Sequence, residues 1–167
     1  MATTRRVLLL GLLGGAALSG SIRTAGAGSA IDAQATPPPS PIEFSEGVRW
    51  LTWNAAAAAV TTGPTPRMRM LFVYADWCGV CRRLAPLFDR PDVQQAASAL
   101  AMVRQNQDEM PSWLRPYLAT GKYVPRVLFL DAEGQVRKDI TSGRDDYPFF
   151  YEDARTLLVS MRAAART

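Results

Sequence analysis

The apolar positions of the chain show first where its strands lie. Continuous apolar runs of strand length occupy Arg69 to Tyr74 and Val127 to Asp131. Such runs are typical of central strands that are buried on both faces of a sheet. Ala101 to Gln105 is a third predicted strand, and a short one is expected in the aromatic stretch before Trp53. The pattern therefore predicts a sheet with buried central strands.

Segments with helical spacing separate these strands. Helices are predicted over Trp53 to Val60, Gly79 to Phe88, Val93 to Leu100 and Glu152 to Ala165. Thr52 is a suitable N-cap for the first helix, and Pro86 is expected to kink the second. Strands that alternate with helices predict an α/β fold, with a central mixed β-sheet flanked by helices.

Polar and glycine-containing segments predict the connections. Gly63 and the prolines that follow it are expected to end the first helix. Asn106 to Lys122 is expected to form a polar loop with one helical turn. Asp131 to Gly134 is a predicted turn, and Gln135 to Ile140 the returning strand of a hairpin.

The N-terminal part of the chain divides into a leader and a linker. Residues 1–27 combine early arginines, an apolar run and small residues, which is the composition of a secretory signal peptide. Cleavage is expected near Ala27 or Ala30. Residues 28–43 are Pro-rich and predict an unstructured linker. The folded domain is then expected over residues 44–167, starting near Phe44.

The leader also predicts where the protein works. The adjacent Arg5 and Arg6 resemble the start of a bacterial twin-arginine signal, and an ordinary secretory signal is the alternative. Either route predicts an exported protein, periplasmic or secreted, in an oxidising compartment. Contact with a membrane is expected only if the leader stays uncleaved.

The composition excludes several classes of function. The formal net charge is +4, but residues 1–27 contain three arginines and no acidic residue, so their removal leaves +1. A nearly neutral domain lacks the basic surface of a nucleic-acid binder, and no nucleic-acid partner is expected. The chain has no histidine. Histidine-based triads and histidine metal ligands are therefore excluded.

The candidate chemistry lies in the segment ADWCGVC, residues 75–81, which contains the only two cysteines of the chain. A strand that ends just before Cys78 delivers this residue to the start of a helix, where unpaired N–H groups and the helix dipole favour the thiolate. Cys78 is thus the predicted exposed nucleophile, and Cys81, one turn later, the buried resolving thiol. The intervening Gly79 and Val80 add no charge, which favours an intermediate reduction potential.

Three other interpretations of the cysteine pair remain open. A structural disulfide across two residues closes a very small loop and stabilises little. A zinc site normally needs four ligands, more than two cysteines without histidine supply. A two-coordinate Cu(I) site is chemically possible, because soft thiolates suit that ion. Redox activity is the favoured interpretation, with no cofactor beyond the cysteine pair and no bound metal.

The combination of motifs resembles the thioredoxin superfamily. ADWCGVC is followed by Pro86, and much later by Tyr123-Val124-Pro125-Arg126 leading into VLFLD. Within this superfamily, the sequence is most similar to small exported thioredoxin-like proteins of the anterior gradient and thioredoxin domain-containing protein 12 type, from about Val48 to Ala165. The resemblance implies a thioredoxin-like fold and exchange of disulfides with cysteine-containing client proteins, with an unidentified redox partner that recycles the protein.

The resemblance also implies a substrate-binding edge. Pro125 is expected to be the cis-proline that faces the cysteine pair, with the backbone of Val124 exposed for pairing with an extended client peptide. Trp77, Gly79 and Val80 are the expected supporting residues. Trp77 would pack beside the cysteines and limit access to the second of them.

Two positions need attention at the site. Thioredoxins place a buried carboxylate six residues before the first active-site cysteine, whereas this sequence has Phe72 there. The resolving thiol must then lose its proton by another route. Asp76 is expected to be exposed to solvent.

The favoured function is therefore an exported thiol–disulfide oxidoreductase that acts on protein cysteines. A thioredoxin-fold chaperone or binding module with dispensable cysteines is an alternative, because Tyr147, Phe149, Phe150 and Tyr151 could form an exposed aromatic edge. The simpler expectation is that Phe149 and Phe150 anchor the last helix to the core. A Cu(I) carrier is the third possibility.

Overall fold

The computed structural model of the protein describes residues 39–62 and 68–166. Its sheet has four strands, namely β1 (Trp50–Leu51), β2 (Arg69–Tyr74), β3 (Ala101–Asn106) and β4 (Arg126–Leu130). Its α-helices are α1 (Trp53–Thr62), α2 (Gly79–Leu84), α3 (Pro91–Ala97) and α4 (Ala154–Ala165). Three 3₁₀ helices cover Ala85–Asp89, Gln107–Glu109 and Ser112–Thr120.

The strands form one mixed sheet in the order β1-β3-β2-β4. β3 pairs in parallel with both β1 and β2, whereas β2 and β4 are antiparallel, with Leu71 opposite Leu128. β2 is a central strand, as its apolar run predicted, and β3 is the other central strand. The expectation that the apolar run of β4 marks a central strand is wrong, because β4 lies at the edge of the sheet, although every one of its residues is buried. The predicted α/β fold with a central mixed sheet is confirmed.

Alternate side chains of each strand feed two apolar cores. On one face, Phe72 and Phe129 pack against residues of α2, α3 and α4. On the other face, Leu71 and Leu128 pack against α1 and the long 3₁₀ helix. The sheet is therefore covered by helices on both sides, which explains why β2 is apolar from Met70 to Tyr74 and β3 from Ala101 to Val103.

Capping residues define the first and last helices. The Thr52 hydroxyl accepts a hydrogen bond from the Ala55 N–H at 3.2 Å, which confirms the predicted N-cap of α1. Asp153 caps α4 by accepting from the Thr156 N–H at 2.9 Å. The expected stop signals after α1 begin at Gly63 and lie outside the described residues.

Three local predictions hold only in part. The predicted helix over Gly79 to Phe88 leaves α-helical geometry at Ala85, because Pro86 has no N–H to continue the hydrogen-bond ladder and the chain tightens into a 3₁₀ helix. In the predicted loop over Asn106 to Lys122, the helical turn expected around Trp113 to Leu118 is confirmed, but 3₁₀ helix extends over Ser112–Thr120 and also covers Gln107–Glu109. The returning strand over Gln135 to Ile140 reduces to a single bridge between Leu130 and Val136.

Packed chain extends two residues before the predicted start near Phe44. Ile42 is buried, and its N–H donates to the Asp76 carboxylate at 2.8 Å. The segment after it is also ordered by packing, since the Phe44 ring contacts Trp50, Phe72 and Tyr74. Within the described part of the chain, no helix combines the length and apolar composition that a membrane crossing requires.

Candidate active site

The two cysteines lie where β2 passes into α2. Cys78 is the N-cap residue of α2, with extended backbone angles of φ −81° and ψ 107°. Its N–H donates to the Ala75 carbonyl at 3.0 Å, and its Sγ accepts from the Cys81 N–H at 3.1 Å. A sulfur at this position satisfies one of the unpaired N–H groups of the first helical turn. The predicted placement of the pair between a strand and a helix is confirmed.

The pair is oxidised in this structure. Cys78 and Cys81 form a disulfide, with their Cα atoms 5.2 Å apart. A disulfide of this kind can be opened by attack of an external thiolate and reformed within the chain. Among residues 39–62 and 68–166, no group of three or more histidine, cysteine or acidic side chains is arranged to hold a metal ion.

The expectation of an exposed Cys78 is wrong for this oxidised form. Cys78 is 5% exposed and Cys81 is 0% exposed. The disulfide places the sulfurs against each other, and Ile42, Ala75 and Ala85 pack around them. Of the two cysteines, only Cys78 keeps any exposure.

The segment before β4 lies beside the disulfide. The Val124–Pro125 peptide bond is cis. The Val124 side chain packs against the cluster that contains both cysteines. No backbone hydrogen bond of Val124 is found within the described residues. Pro125 itself is buried.

The residues that flank the cysteines differ in exposure. Val80 is half-buried and packs against the cysteine cluster. Gly79 is exposed, and a Cβ added to it would have only the end of the Arg83 side chain within 4 Å, at 3.9 Å. Trp77 is 58% exposed. Its indole N–H donates to the Asp108 carboxylate at 2.8 Å. That Trp77 limits access to Cys81 stays a prediction.

Asp76 holds three segments together and is not simply exposed to solvent. One carboxylate oxygen accepts from the Ile42 N–H, and the other accepts from the Asn106 side-chain amide at 2.9 Å. The Asp76 carbonyl accepts from the Arg82 guanidinium at 2.6 Å. Asp76 is therefore half-buried, and it connects the segment around Ile42 and the end of β3 to the turn before Cys78.

The position of the missing carboxylate is filled by an aromatic cluster. Phe72 is fully buried, and its ring lies 5.6 Å from that of Phe44 and 5.7 Å from that of Phe88. Tyr74 belongs to the same cluster, where burial raises the pKa of its hydroxyl. An apolar environment of this kind has no proton acceptor for the resolving thiol.

Sequence reasoning assigned no role to Arg126, which follows the cis-proline. Arg126 is fully buried, and its Nη1 donates to the Gly121 carbonyl. Its Nε and Nη2 have no hydrogen-bond partner among the described residues, and burial lowers the pKa of its guanidinium. The sequence did contain a sign that Arg126 is unusual, since it is a charged residue directly before an apolar run, and a buried charged residue is rare unless it has a partner.

The aromatic residues before α4 separate into two groups. Phe149 and Tyr151 are buried, whereas Tyr147 is 47% exposed. The expectation that Phe149 and Phe150 anchor the last helix to the core holds in part: Phe149 is buried in a core, but on the α1 face of the sheet, and Phe150 is half-buried beside Tyr123 and Tyr147. Tyr151 contacts α4 instead, and its hydroxyl donates to the Ser160 hydroxyl at 2.9 Å.

Comparison with known proteins agrees with this architecture. The family model for thioredoxin matches residues 60–148, and the chain belongs to the thioredoxin family. The thiol:disulfide interchange protein DsbD of Klebsiella pneumoniae subsp. pneumoniae is 35% identical over 75 residues. That stretch is 42% of this chain and 12% of the relative.

Two solved structures share the fold. A thioredoxin from Thermus thermophilus has a TM-score of 0.52 at 20% identity and is matched over 70% of this chain and 86% of its own. The C-terminal domain of DsbD from Neisseria meningitidis, in its reduced form, has a TM-score of 0.51 at 19% identity, over 66% of this chain and 91% of its own. The fold is therefore thioredoxin-like.

Proposed function

We propose that the protein is an exported thiol–disulfide oxidoreductase that exchanges disulfides with cysteines of client proteins. The observation that carries the proposal is the Cys78–Cys81 disulfide at the start of α2, packed against Val124 of the cis-proline segment. Membership of the thioredoxin family supports the same chemistry. The similarity to a thiol:disulfide interchange protein over 75 residues adds to this support.

The exchange has two covalent steps. In the reduced protein, the Cys78 thiolate attacks one sulfur of a client disulfide, so that a mixed disulfide forms and the other client sulfur leaves as a thiolate. The Cys81 thiolate then attacks Cys78 Sγ and releases the second client sulfur. The client gains two electrons and the protein ends with the disulfide found here. The reverse sequence oxidises a client dithiol.

The unpaired backbone of Val124 supports a binding role for this edge. An extended client segment can hydrogen-bond to its N–H and C=O while the client cysteine lies over Cys78. Tyr123, Tyr147 and Phe150 form an aromatic cluster next to this edge, with the Tyr123 and Tyr147 rings 5.0 Å apart. Apolar client side chains have a surface to pack on there.

Client trapping tests this proposal. A Cys81→Ala variant should accumulate mixed disulfides with client proteins, because the resolving thiol is missing, and these should be recovered on non-reducing gels and identified by mass spectrometry. The matched control is Cys78→Ala, which keeps one cysteine but should trap far less. Equal trapping by both variants, or none by either, would contradict a redox role led by Cys78.

Export is the second part of the proposal. Residues 1–27 would direct the chain to the periplasm or beyond, and residues 28–43 would link the domain to the cleavage site. When the full chain is produced in a bacterium, the extracytoplasmic fraction should contain a product that starts near residue 28 or 31. Replacing Arg5 and Arg6 by lysines should block export only if the twin-arginine route is used.

The proposal also includes a closer family relationship and a redox partner that recycles the protein. The segment Tyr123 to Arg126 and the turn at Asp131 to Gly134 support a place near the anterior gradient and thioredoxin domain-containing protein 12 type. Repeated turnover needs a redox partner that restores the cysteine pair after each exchange.

The aromatic cluster favours one second candidate, a binding module whose cysteines are dispensable. Tyr147 is 47% exposed and belongs to this cluster. A Cys78→Ser/Cys81→Ser variant that still protects unfolded clients from aggregation would support the binding module. Loss of protection in that variant would support the oxidoreductase.

A further inference from the structure

A cavity of about 480 Å³ is lined by residues that flank the cis-proline segment and by the segment that follows β3. Asp108 lines one part of it and is hydrogen-bonded to Trp77, the residue before Cys78. Lys122 and Arg126 line another part, two residues to either side of Val124. The lining therefore includes residues on both sides of Val124 in the sequence.

The buried guanidinium of Arg126 makes this part of the cavity electropositive. Nε and Nη2 of Arg126 have no hydrogen-bond partner in the described part of the chain. The ion pairs found among the described residues are Arg90–Asp92, Arg137–Asp139 and Arg144–Glu152, so no acidic side chain there neutralises Arg126. A buried charge without a partner is unfavourable, and its field is weakly screened because little water surrounds it.

Lys122 adds a second positive charge that is accessible to solvent. It is exposed and lines the same cavity. Asp108 lines the same cavity and keeps its negative charge while it accepts from the Trp77 indole. The two cations and this one carboxylate leave the lining with a net charge of +1. Met110 and Leu118 complete the lining with apolar surface, and Met110 is 46% exposed. The cavity therefore suits a side chain with an apolar stem and an anionic end.

We propose that this cavity is a subsite for the carboxylate side chain of an aspartate or glutamate that neighbours the reactive cysteine of the client polypeptide. The inference rests on the proposed function. A client segment paired with the backbone of Val124 would carry the residues beside its cysteine past Lys122 and over Arg126. The carboxylate would pair with the exposed Lys122 and lie in the field of the buried Arg126 guanidinium, and this attraction would select among clients.

Two peptide disulfides that differ in one residue test the subsite. Both contain the same intramolecular disulfide, and one carries Glu where the other carries Gln, two residues from the cysteine. The full-length reduced protein reduces each peptide in a single turnover, and mass spectrometry follows the peptide thiols. The Glu peptide should react about tenfold faster at low ionic strength, and added salt should reduce the preference.

Substitutions of cavity residues test whether the preference for the Glu peptide arises in this cavity. Lys122→Glu and Arg126→Met should each bring the two rates to within about twofold, since each removes positive charge that faces the carboxylate. Lys138→Glu is the matched control, because Lys138 is also exposed but follows the opposite end of β4. This control should keep the full preference. Lys122→Glu keeps the test decisive if Arg126→Met does not fold.

The outcomes separate the subsite from the proposed function. Equal rates for the two peptides with wild-type protein would overturn the subsite and leave the oxidoreductase activity standing. A preference that survives in both cavity variants would also overturn it. If neither peptide is reduced by wild-type protein, the oxidoreductase proposal fails, and the subsite fails with it.

Discussion

At the scale of single residues, the two buried arginines of the sheet show how differently a buried charge can be accommodated. Arg69 Nη2 donates to the carbonyls of Asp131 and Ala132, each at 3.1 Å, and its guanidinium lies 5.0 Å from the centre of the Trp53 ring. Arg126 has a single accepting carbonyl. Among the described residues, Arg69 leaves only one buried nitrogen, Nε, without a hydrogen-bond partner, whereas Arg126 leaves both Nε and Nη2. The burial of Arg126 is therefore the less well compensated of the two.

Replacement by methionine should expose this difference. Arg126→Met removes a poorly compensated buried charge and keeps much of its volume, so the free energy of unfolding should rise by about 1–3 kcal/mol. Arg69→Met is the control, and it should lower that free energy because it removes satisfied contacts. Urea denaturation followed by fluorescence measures both. A large loss of stability in Arg126→Met would show that the guanidinium is compensated after all.

The buried hydroxyl of Tyr151 predicts a loss of stability at alkaline pH. Burial raises the pKa of Tyr151 from 10.0 to about 12. The unfolded chain therefore ionises first, and stability that is fully present below pH 10 is lost as the pH rises towards 12. The loss attributable to this residue is up to about 3 kcal/mol.

A Tyr151→Phe variant isolates this contribution, because the other tyrosines are unchanged in it. At neutral pH the variant should be less stable by about 1 kcal/mol, since it loses the hydrogen bond to Ser160. Near pH 12 the order should reverse, and the variant should be the more stable protein. Rapid urea titrations across this pH range measure the difference. Parallel curves for the two proteins would contradict the assigned pKa.

At the scale of secondary-structure elements, the sequence predicted those elements that are determined by their own residues better than those that depend on contacts with distant segments. The strand over Arg69 to Tyr74 was predicted with its observed bounds, because a continuous apolar run identifies a strand buried on both faces. The end of α4 was predicted as well. The predicted strand over Gln135 to Ile140 is reduced to the bridge between Leu130 and Val136. Part of the free edge of β4 is bonded instead to a segment that is distant in sequence. Val127, for example, donates its N–H to the Phe149 carbonyl.

The same limit applies to the site. The cysteine pair was found from its motif, since both residues lie within one turn of helix. The burial of Cys78 was missed because Ile42 covers it from a segment that looked like linker. The role of Asp76 was missed for the same reason, because its partners Ile42 and Asn106 are distant in sequence. Contacts between distant segments leave little trace in a single sequence.

Replacement by alanine should destabilise the protein more at Gly134, in the turn after β4, than at Gly143. Gly134 has φ +84° and Gly143 has φ +82°, so alanine is strained at both positions. A Cβ at Gly134 would also lie 3.0 Å from Arg69 Nη2 and 3.3 Å from the Tyr117 hydroxyl, whereas nothing lies within 4 Å at Gly143. Gly143→Ala should cost about 1–2 kcal/mol.

Gly134→Ala should cost at least about 1 kcal/mol more, because it also displaces the contacts between Arg69, Tyr117 and the turn. Chemical denaturation of both variants gives the comparison, and the shared positive φ makes Gly143→Ala the matched control. Equal losses would show that Arg69 and Tyr117 move away without cost. The Tyr117 hydroxyl donates to the Gly134 carbonyl at 2.9 Å, which opposes such a movement.

At the scale of the whole molecule, the disulfide lies outside the two main cores. The cores on the two faces of the sheet are built from residues of the strands and of helices on both sides. Cys78 and Cys81 belong to a third, smaller cluster at the end of the sheet. The packing that stabilises the fold is therefore separate from the bond that the proposed chemistry breaks.

This separation predicts that reduction changes stability little. The disulfide spans a sequence separation of 3, and closing so short a loop stabilises the fold by only about 2 kcal/mol. The protein should remain folded in dithiothreitol, with the free energy of unfolding lowered by no more than that amount. A Cys78→Ala/Cys81→Ala variant is the control, and the reductant should not change its unfolding. If reduction unfolds the wild-type domain, the disulfide stabilises the fold itself, and a client could not reduce it without losing the surface around Val124 that the exchange needs.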